Sequence, residues 1–148
     1  PQIQEVIATL TPLPGAIAFT RWLRARTRLI ILSDTFAEFA QPLMAQLDYP
    51  TLFCHSLEVG AGGRIANYHL RQPDQKRKAV EALRSLNLHI IAAGDSFNDL
   101  TMLQAANEGI LFRPPPAVIE ACPQFPVTTT HEELQAELTP RLQAALGV

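Results

Sequence analysis

Ala92-Ala93-Gly94-Asp95-Ser96-Phe97-Asn98-Asp99 decides how this chain is read. It continues His89-Ile90-Ile91, so an apolar run ends in a glycine, two carboxylates and an amide. Such a run predicts a strand over 89–93 buried on both faces, with a helix over 97–106 behind it. Gly94 is expected to let the chain turn sharply. Asp95 is then placed at the strand end, and Asp99 near the start of the helix. An oxygen-rich cluster of this kind suits Mg²⁺, which takes few protein carboxylates and keeps several waters. Helix capping by Asp95 or Ser96 explains one acidic residue. It does not explain Asn98 and Asp99 together, so the metal reading is preferred.

Working outward, Leu29-Ile30-Ile31-Leu32 predicts a second buried strand, stopped by Ser33-Asp34-Thr35. A hydroxyl and backbone N–H groups at the start of the helix expected over 36–47 make an anion site, and a helix cap is the competing reading. Shorter strands are expected over 51–54, 57–59, 65–70 and 109–112, with Gly60-Ala61-Gly62-Gly63 as a hairpin turn. Helices are expected over 3–10, 16–26, 74–86 and from Pro114–Pro116 onward. Thr130-x-x-Glu133 is a capping box for the last helix, ending near Leu146. Lys76 opens the helix before the third strand. It either reaches the ligand crevice to neutralise phosphate or is one solvated charge of Lys76-Arg77-Lys78. Alternating strands and helices imply an α/β fold with a mostly parallel sheet, whose ligands bind beyond the carboxyl ends of the strands.

A hydroxyl after one strand, a lysine at a helix start and Gly-Asp-x-x-Asn-Asp after the next strand follow the order of motifs two, three and four of the haloacid dehalogenase superfamily. Residues 3–10, Pro14-Gly15, Ile31-Leu32-Ser33-Asp34-Thr35-Phe36, Gln41-Pro42-Leu43-Met44, Leu70-Arg71-Gln72 and Gly109-Ile110-Leu111-Phe112 narrow this. From about residue 2 to about 138 the chain resembles the phosphoserine phosphatase group, in particular members that also transfer the phosphoryl group to homoserine. The resemblance implies a three-layer Rossmann-like sandwich, a Mg²⁺ cofactor and an aspartyl-phosphate intermediate. It also implies that Ser33 and the Asp34 amide bind phosphate and that Lys76 holds the same oxygens. Asp95 would be a Mg²⁺ ligand, Asp99 would support Lys76 or the metal's water shell, and Asn98 would shape the substrate-side loop. The substrate would be phosphoserine or a related small phosphomonoester, with homoserine as an alternative acceptor.

The first motif of that family, an apolar strand followed by Asp-x-Asp or Asp-x-Glu with the nucleophile first, has no counterpart here. Only 32 residues precede Ser33, and Glu5 is their one acidic residue. The expectation is therefore an N-terminally incomplete, inactive member: residues 1–12 a remnant of the helical cap, and 13–148 a core lacking the nucleophile strand. A non-catalytic phosphate- or metal-binding module is the alternative. A receiver domain fits less well, lacking the acidic pair and the acceptor aspartate. Loss of a central strand would strand backbone groups, each costing about 1–3 kcal/mol if buried and unpaired. Direct pairing of 29–32 with 89–93, a strand supplied by another chain such as a second copy, or poor folding are the expected outcomes.

Composition narrows the partners. With 47% hydrophobic and 18% charged residues and a net charge of -2, neither nucleic acid nor an anionic membrane is an expected partner. Arg21, Arg24, Arg26 and Arg28 read as a solvated face, because no aromatic platform accompanies them. No apolar run approaches the roughly 20 residues that span a bilayer, and no signal segment opens the chain. Cys54 and Cys122 form no disulfide framework, which points to the cytoplasm. Cys54 beside His55 reads as a small core residue ahead of a catalytic thiol. The four histidines lack metal-ligand spacing.

Overall fold

The computed structural model describes residues 2–146; Pro1 of the expected cap remnant and Gly147-Val148 of the expected core lie outside them. The chain divides into two units, Pro1–Pro73 and Asp74–Val148.

In the first unit, α1 (Gln2–Ala8) and α2 (Ala16–Arg24) precede β1 (Ile30–Phe36), α3 (Ala37–Gln46), β2 (Thr51–Val59) and β3 (Ile65–His69). Gly15 sits ahead of α2 at φ 84°, a left-handed conformation that glycine adopts without strain. The arginines of α2 are engaged locally. Arg21 Nε meets Asp48 at 3.0 Å, and Arg24 donates to the carbonyls of Leu47 and Asp48. Arg26, just beyond the helix, lies 4.8 Å over the Trp22 ring. The sheet order is β1-β2-β3, parallel then antiparallel. The expected 51–54 and 57–59 strands are one continuous strand, bent where Glu58 and Val59 shift register against β3. The Glu38 carboxylate accepts the Leu57 N–H at 2.9 Å there.

Ser33-Asp34-Thr35 does not end β1, contrary to expectation. The strand continues to Phe36, but Leu32 pairs with Phe53 and Phe36 with His55. Three polar residues are thus set against Cys54 alone. The extra length is taken up as a bulge, a device that re-aims side chains beside functional sites.

In the second unit, α4 (Gln75–Ser85), β4 (Ile91–Gly94), α5 (Leu100–Ala105), β5 (Glu108–Phe112), α6 (Pro116–Ala121), β6 (Val127–Thr128) and α7 (His131–Leu146) form an α/β unit with the parallel order β4-β5-β6. β6 was not anticipated, since two residues carry no readable period. Gly109 on β5 makes room for Phe125, whose ring would lie 2.7 Å from any added Cβ. At the start of α7, Thr130 Oγ1 accepts the Glu133 N–H as expected, but the Glu133 carboxylate returns to Thr129, taking its N–H at 2.6 Å and its hydroxyl at 2.9 Å.

Most of the buried apolar core belongs to this unit. Val80, Leu103, Ile110, Leu111 and Val118 are almost wholly excluded from water, whereas the first unit buries Leu23, Ala40 and Pro50. The expectation of strands buried on both faces fails for β1 and β4: neither Ile31 nor Ile91 is fully buried, and Ala93 is exposed. Among the described residues each stands first in its own sheet, with a paired neighbour on one side. Among the described residues β1 pairs with β2 through α3, and β4 with β5 through α5, each the shortest parallel crossover available.

Candidate active site

The carboxyl end of β4 carries the densest polar cluster. The chain leaves the strand at Gly94, and residues 97–99 make one tight helical turn before α5. Asp99 is buried and organises the loop. Its Oδ2 accepts the Asp95 N–H at 3.0 Å, the Ser96 N–H at 3.3 Å and the Ser96 hydroxyl at 3.3 Å. Its Oδ1 accepts Lys76 Nζ from α4 at 2.8 Å. Of the two capping candidates Ser96 takes the role, as the N-cap of this turn in a reciprocal capping box with Asp99, which leaves the exposed Asp95 carboxylate for other work. Gly94 is required for a different reason than a turn. A Cβ there would lie 2.6 Å from Asp99 Cβ, so the missing side chain is what admits the buried carboxylate.

Lys76 is not a solvated charge. Its side chain is 14% exposed, whereas its neighbour Arg77 bonds Asp74 and Glu81 at the surface. Burial pushes the Asp99 pKa up, but the Lys76 ammonium and the loop N–H groups outweigh it and hold the carboxyl below its ordinary value. Asp95 moves the other way. Desolvation comes first, then the Asp99 carboxylate, which bonds and repels it; Lys76 offsets only part of this. The two carboxyls thus split into a firmly ionised one and one that holds its proton more tightly, behaviour that belongs to the pair.

The donor set fits Mg²⁺ in part. The exposed Asp95 carboxylate offers hard oxygen donors beside a second negative charge, and Mg²⁺ often takes only one or two protein carboxylates. Among the described residues no three His, Cys, Asp or Glu side chains converge on a metal position. Asn98 is exposed on the same loop.

In the first unit, Ser33 and Asp34 lie in the β1 bulge, where the Thr35 N–H donates to Ser33 Oγ at 3.3 Å. Asp34 Oδ1 lies 3.8 Å from Nε2 of the buried His55. His55 was considered only as a metal ligand and as Cys54's neighbour; nothing local marked it, because its partners are 21 positions upstream and 16 downstream. Arg71 donates its N–H to His55 Nδ1 at 3.0 Å and lays its guanidinium 4.2 Å from the Phe53 ring centroid. Burial, and then Glu38, raise the Cys54 pKa, opposite to what a reactive thiolate needs.

The parallel α/β units and the carboxylate–lysine loop define a class. Residues 2–107 match the haloacid dehalogenase-like hydrolase family, and the chain belongs to it. It is 57% identical over 135 residues to phosphoserine phosphatase ThrH of Pseudomonas aeruginosa, covering 91% of this chain and 66% of that protein. A phosphoserine phosphatase of Pseudomonas syringae pv. tomato is 56% identical, covering 91% of this chain and 57% of that one. The chain therefore spans less than two thirds of either relative. Among solved structures, a substrate-bound phosphoserine phosphatase superposes with a TM-score of 0.73 at 20% identity, covering 90% of this chain and 66% of that one, a likeness of fold. No helix among the described residues is long and apolar enough to cross a membrane.

Proposed function

We propose that this chain carries the charge-holding groups of a Mg²⁺-dependent phosphoserine phosphatase or phosphotransferase. The reaction would run through an aspartyl phosphate, with water or homoserine as acceptor. The observation that carries this reading is the Lys76–Asp99–Asp95 cluster at the end of β4: a buried cation fixed by one carboxylate, beside a second carboxylate left exposed. Phosphoryl transfer depends mainly on positioning and on neutralising charge. Ser33 and the Asp34 amide take phosphate oxygens, Lys76 offsets their charge, and Asp99 fixes Lys76. Asn98 shapes the substrate-side loop. Asp95 is the ligand for Mg²⁺, which when bound neutralises charge on the phosphoryl oxygens. Residues 1–12 belong with the cap and the rest with the core. Two free cysteines are compatible with a cytoplasmic enzyme.

None of Asp34, Asp48, Asp74, Asp95 and Asp99 begins an Asp-x-Asp or Asp-x-Glu, so these 148 residues lack the family's nucleophile motif. We expect them to bind without turnover. The same observation favours the second reading, a phosphate- or metal-binding module without catalysis. Titration of phosphoserine with and without Mg²⁺ tests the proposal. Binding that needs Mg²⁺ and weakens in Lys76→Ala is expected; binding indifferent to both overturns it. Sustained release of p-nitrophenol from p-nitrophenyl phosphate overturns the inactivity and with it the module.

A further inference from the structure

Arg71 lies just beyond β3, and the roles above do not use it. Its place is fixed from two sides. The backbone N–H donates to His55 Nδ1 at 3.0 Å, and the guanidinium carbon stands 4.2 Å from the centroid of the Phe53 ring. Arg21, Arg24, Arg26, Arg77, Arg84 and Arg141 each donate a side-chain N–H to a carboxylate or a backbone carbonyl. Among the described residues the Arg71 guanidinium is held over a ring yet forms no hydrogen bond or ion pair. A cation–π contact places the charge and leaves its N–H donors open to a ligand.

That charge stands beside the β1 bulge. Phe53 pairs with Leu32, the residue before the bulge, and Cys54 is the residue set against it. Burial and then Glu38 push the Cys54 thiol up, and Arg71 pulls it partly back, so the guanidinium charge is felt at that residue. The His55 ring gives a second measure: the Arg71 N–H meets one of its nitrogens, and Asp34 Oδ1 lies 3.8 Å from the other. Phosphoserine carries two anionic groups. In the reading above Ser33 and the Asp34 amide take its phosphate, and a planar carboxylate matches the paired N–H donors of a guanidinium. We propose that Arg71 binds the carboxylate of the substrate and so selects phosphoserine over phosphomonoesters that lack one. This rests on the reading that Ser33 and Asp34 bind phosphate, and it adds the residue that recognises the rest of the molecule.

Two ligands separate the two anionic groups. Phosphoserine and O-phosphoethanolamine, which lacks the carboxylate, are titrated into the full chain with Mg²⁺. Arg71→Ala is expected to weaken phosphoserine about tenfold, the scale of a hydrogen bond between charged groups, and to leave phosphoethanolamine within about twofold. General damage to the fold would weaken both alike. Equal weakening of the two ligands therefore overturns the carboxylate assignment. Unchanged affinity for phosphoserine in Arg71→Ala, while Ser33→Ala weakens both ligands, overturns the role of Arg71 and leaves the phosphate site standing. Unchanged affinity for both ligands in Ser33→Ala overturns the phosphate site itself, and this inference with it. Should Arg71→Ala not fold, Arg71→Met keeps an apolar stem for Phe53 without the donors, and the same outcomes decide.

Discussion

Lys76 Nζ lies 2.8 Å from Asp99 Oδ1, with 14% and 8% of the two side chains exposed. The other oxygen of the same carboxylate receives the loop N–H groups of Asp95 and Ser96. One buried anion therefore fixes both the lysine and the shape of the loop. Removing one partner of such a pair leaves an uncompensated buried charge, which costs about 3–5 kcal/mol. Lys76→Met and Asp99→Leu are each expected to lower stability on that scale in urea denaturation. The double variant should cost less than the sum of the two.

Asp95→Asn is expected to do the opposite at neutral pH. Asp95 holds its proton more tightly in the folded state, so its contribution is present at low pH and lost as pH rises through its folded pKa. Asp99 is held below its ordinary value, so its contribution is present above the unfolded pKa and lost as pH falls through the folded one. Asparagine at 95 removes the repulsion. Thermal melting at pH 7 should shift upward while Mg²⁺ binding, followed by calorimetry, is lost.

Mg²⁺ binding should release protons in the acid range, because the ion favours the ionised form of Asp95. Calorimetry in buffers of different ionisation heat should report this release near and above the ordinary carboxylate pKa. It should disappear in Asp95→Asn.

Gly94→Ala is expected to disrupt the loop despite being one methyl group. The added Cβ would lie 2.6 Å from Asp99 Cβ and 2.7 Å from Asp99 Oδ2, so the carboxylate must leave its place. Loss of both stability and Mg²⁺-dependent phosphoserine binding should follow. A matched control is Gly62→Ala at the hairpin turn, where nothing lies within 4 Å but φ is +77°. That change should cost stability through backbone strain alone, about 1–2 kcal/mol.

Thr130→Ala should cost about 1 kcal/mol, the usual loss of a helix cap, because Thr130 Oγ1 takes the Glu133 N–H at 3.1 Å. Thermal melting would show it, with phosphate binding unchanged.

The sequence by itself determined the alternation of helices and strands apart from β6 and the single long β2, the α/β class and the positions of Ser33, Lys76, Asp95 and Asp99. Each of these is written locally, as an apolar run, a breaker and a polar residue at a strand end or helix start. It also determined the absence of an Asp-x-Asp or Asp-x-Glu motif. Only tertiary structure decided what those residues do to one another. That Asp99 rather than Asp95 holds the loop, and that Lys76 is buried, depend on a pairing across 23 positions. That Gly94 serves close approach rather than a turn depends on the carboxylate beside it. The bulge at Ser33-Asp34-Thr35 is set by the register against Phe53 and His55, and the His55 ring is tied to a backbone N–H 16 positions away. Spacing along the chain encodes local periodicity, whereas burial, and the charge and tautomer states that follow from it, exist only once distant segments exclude water together.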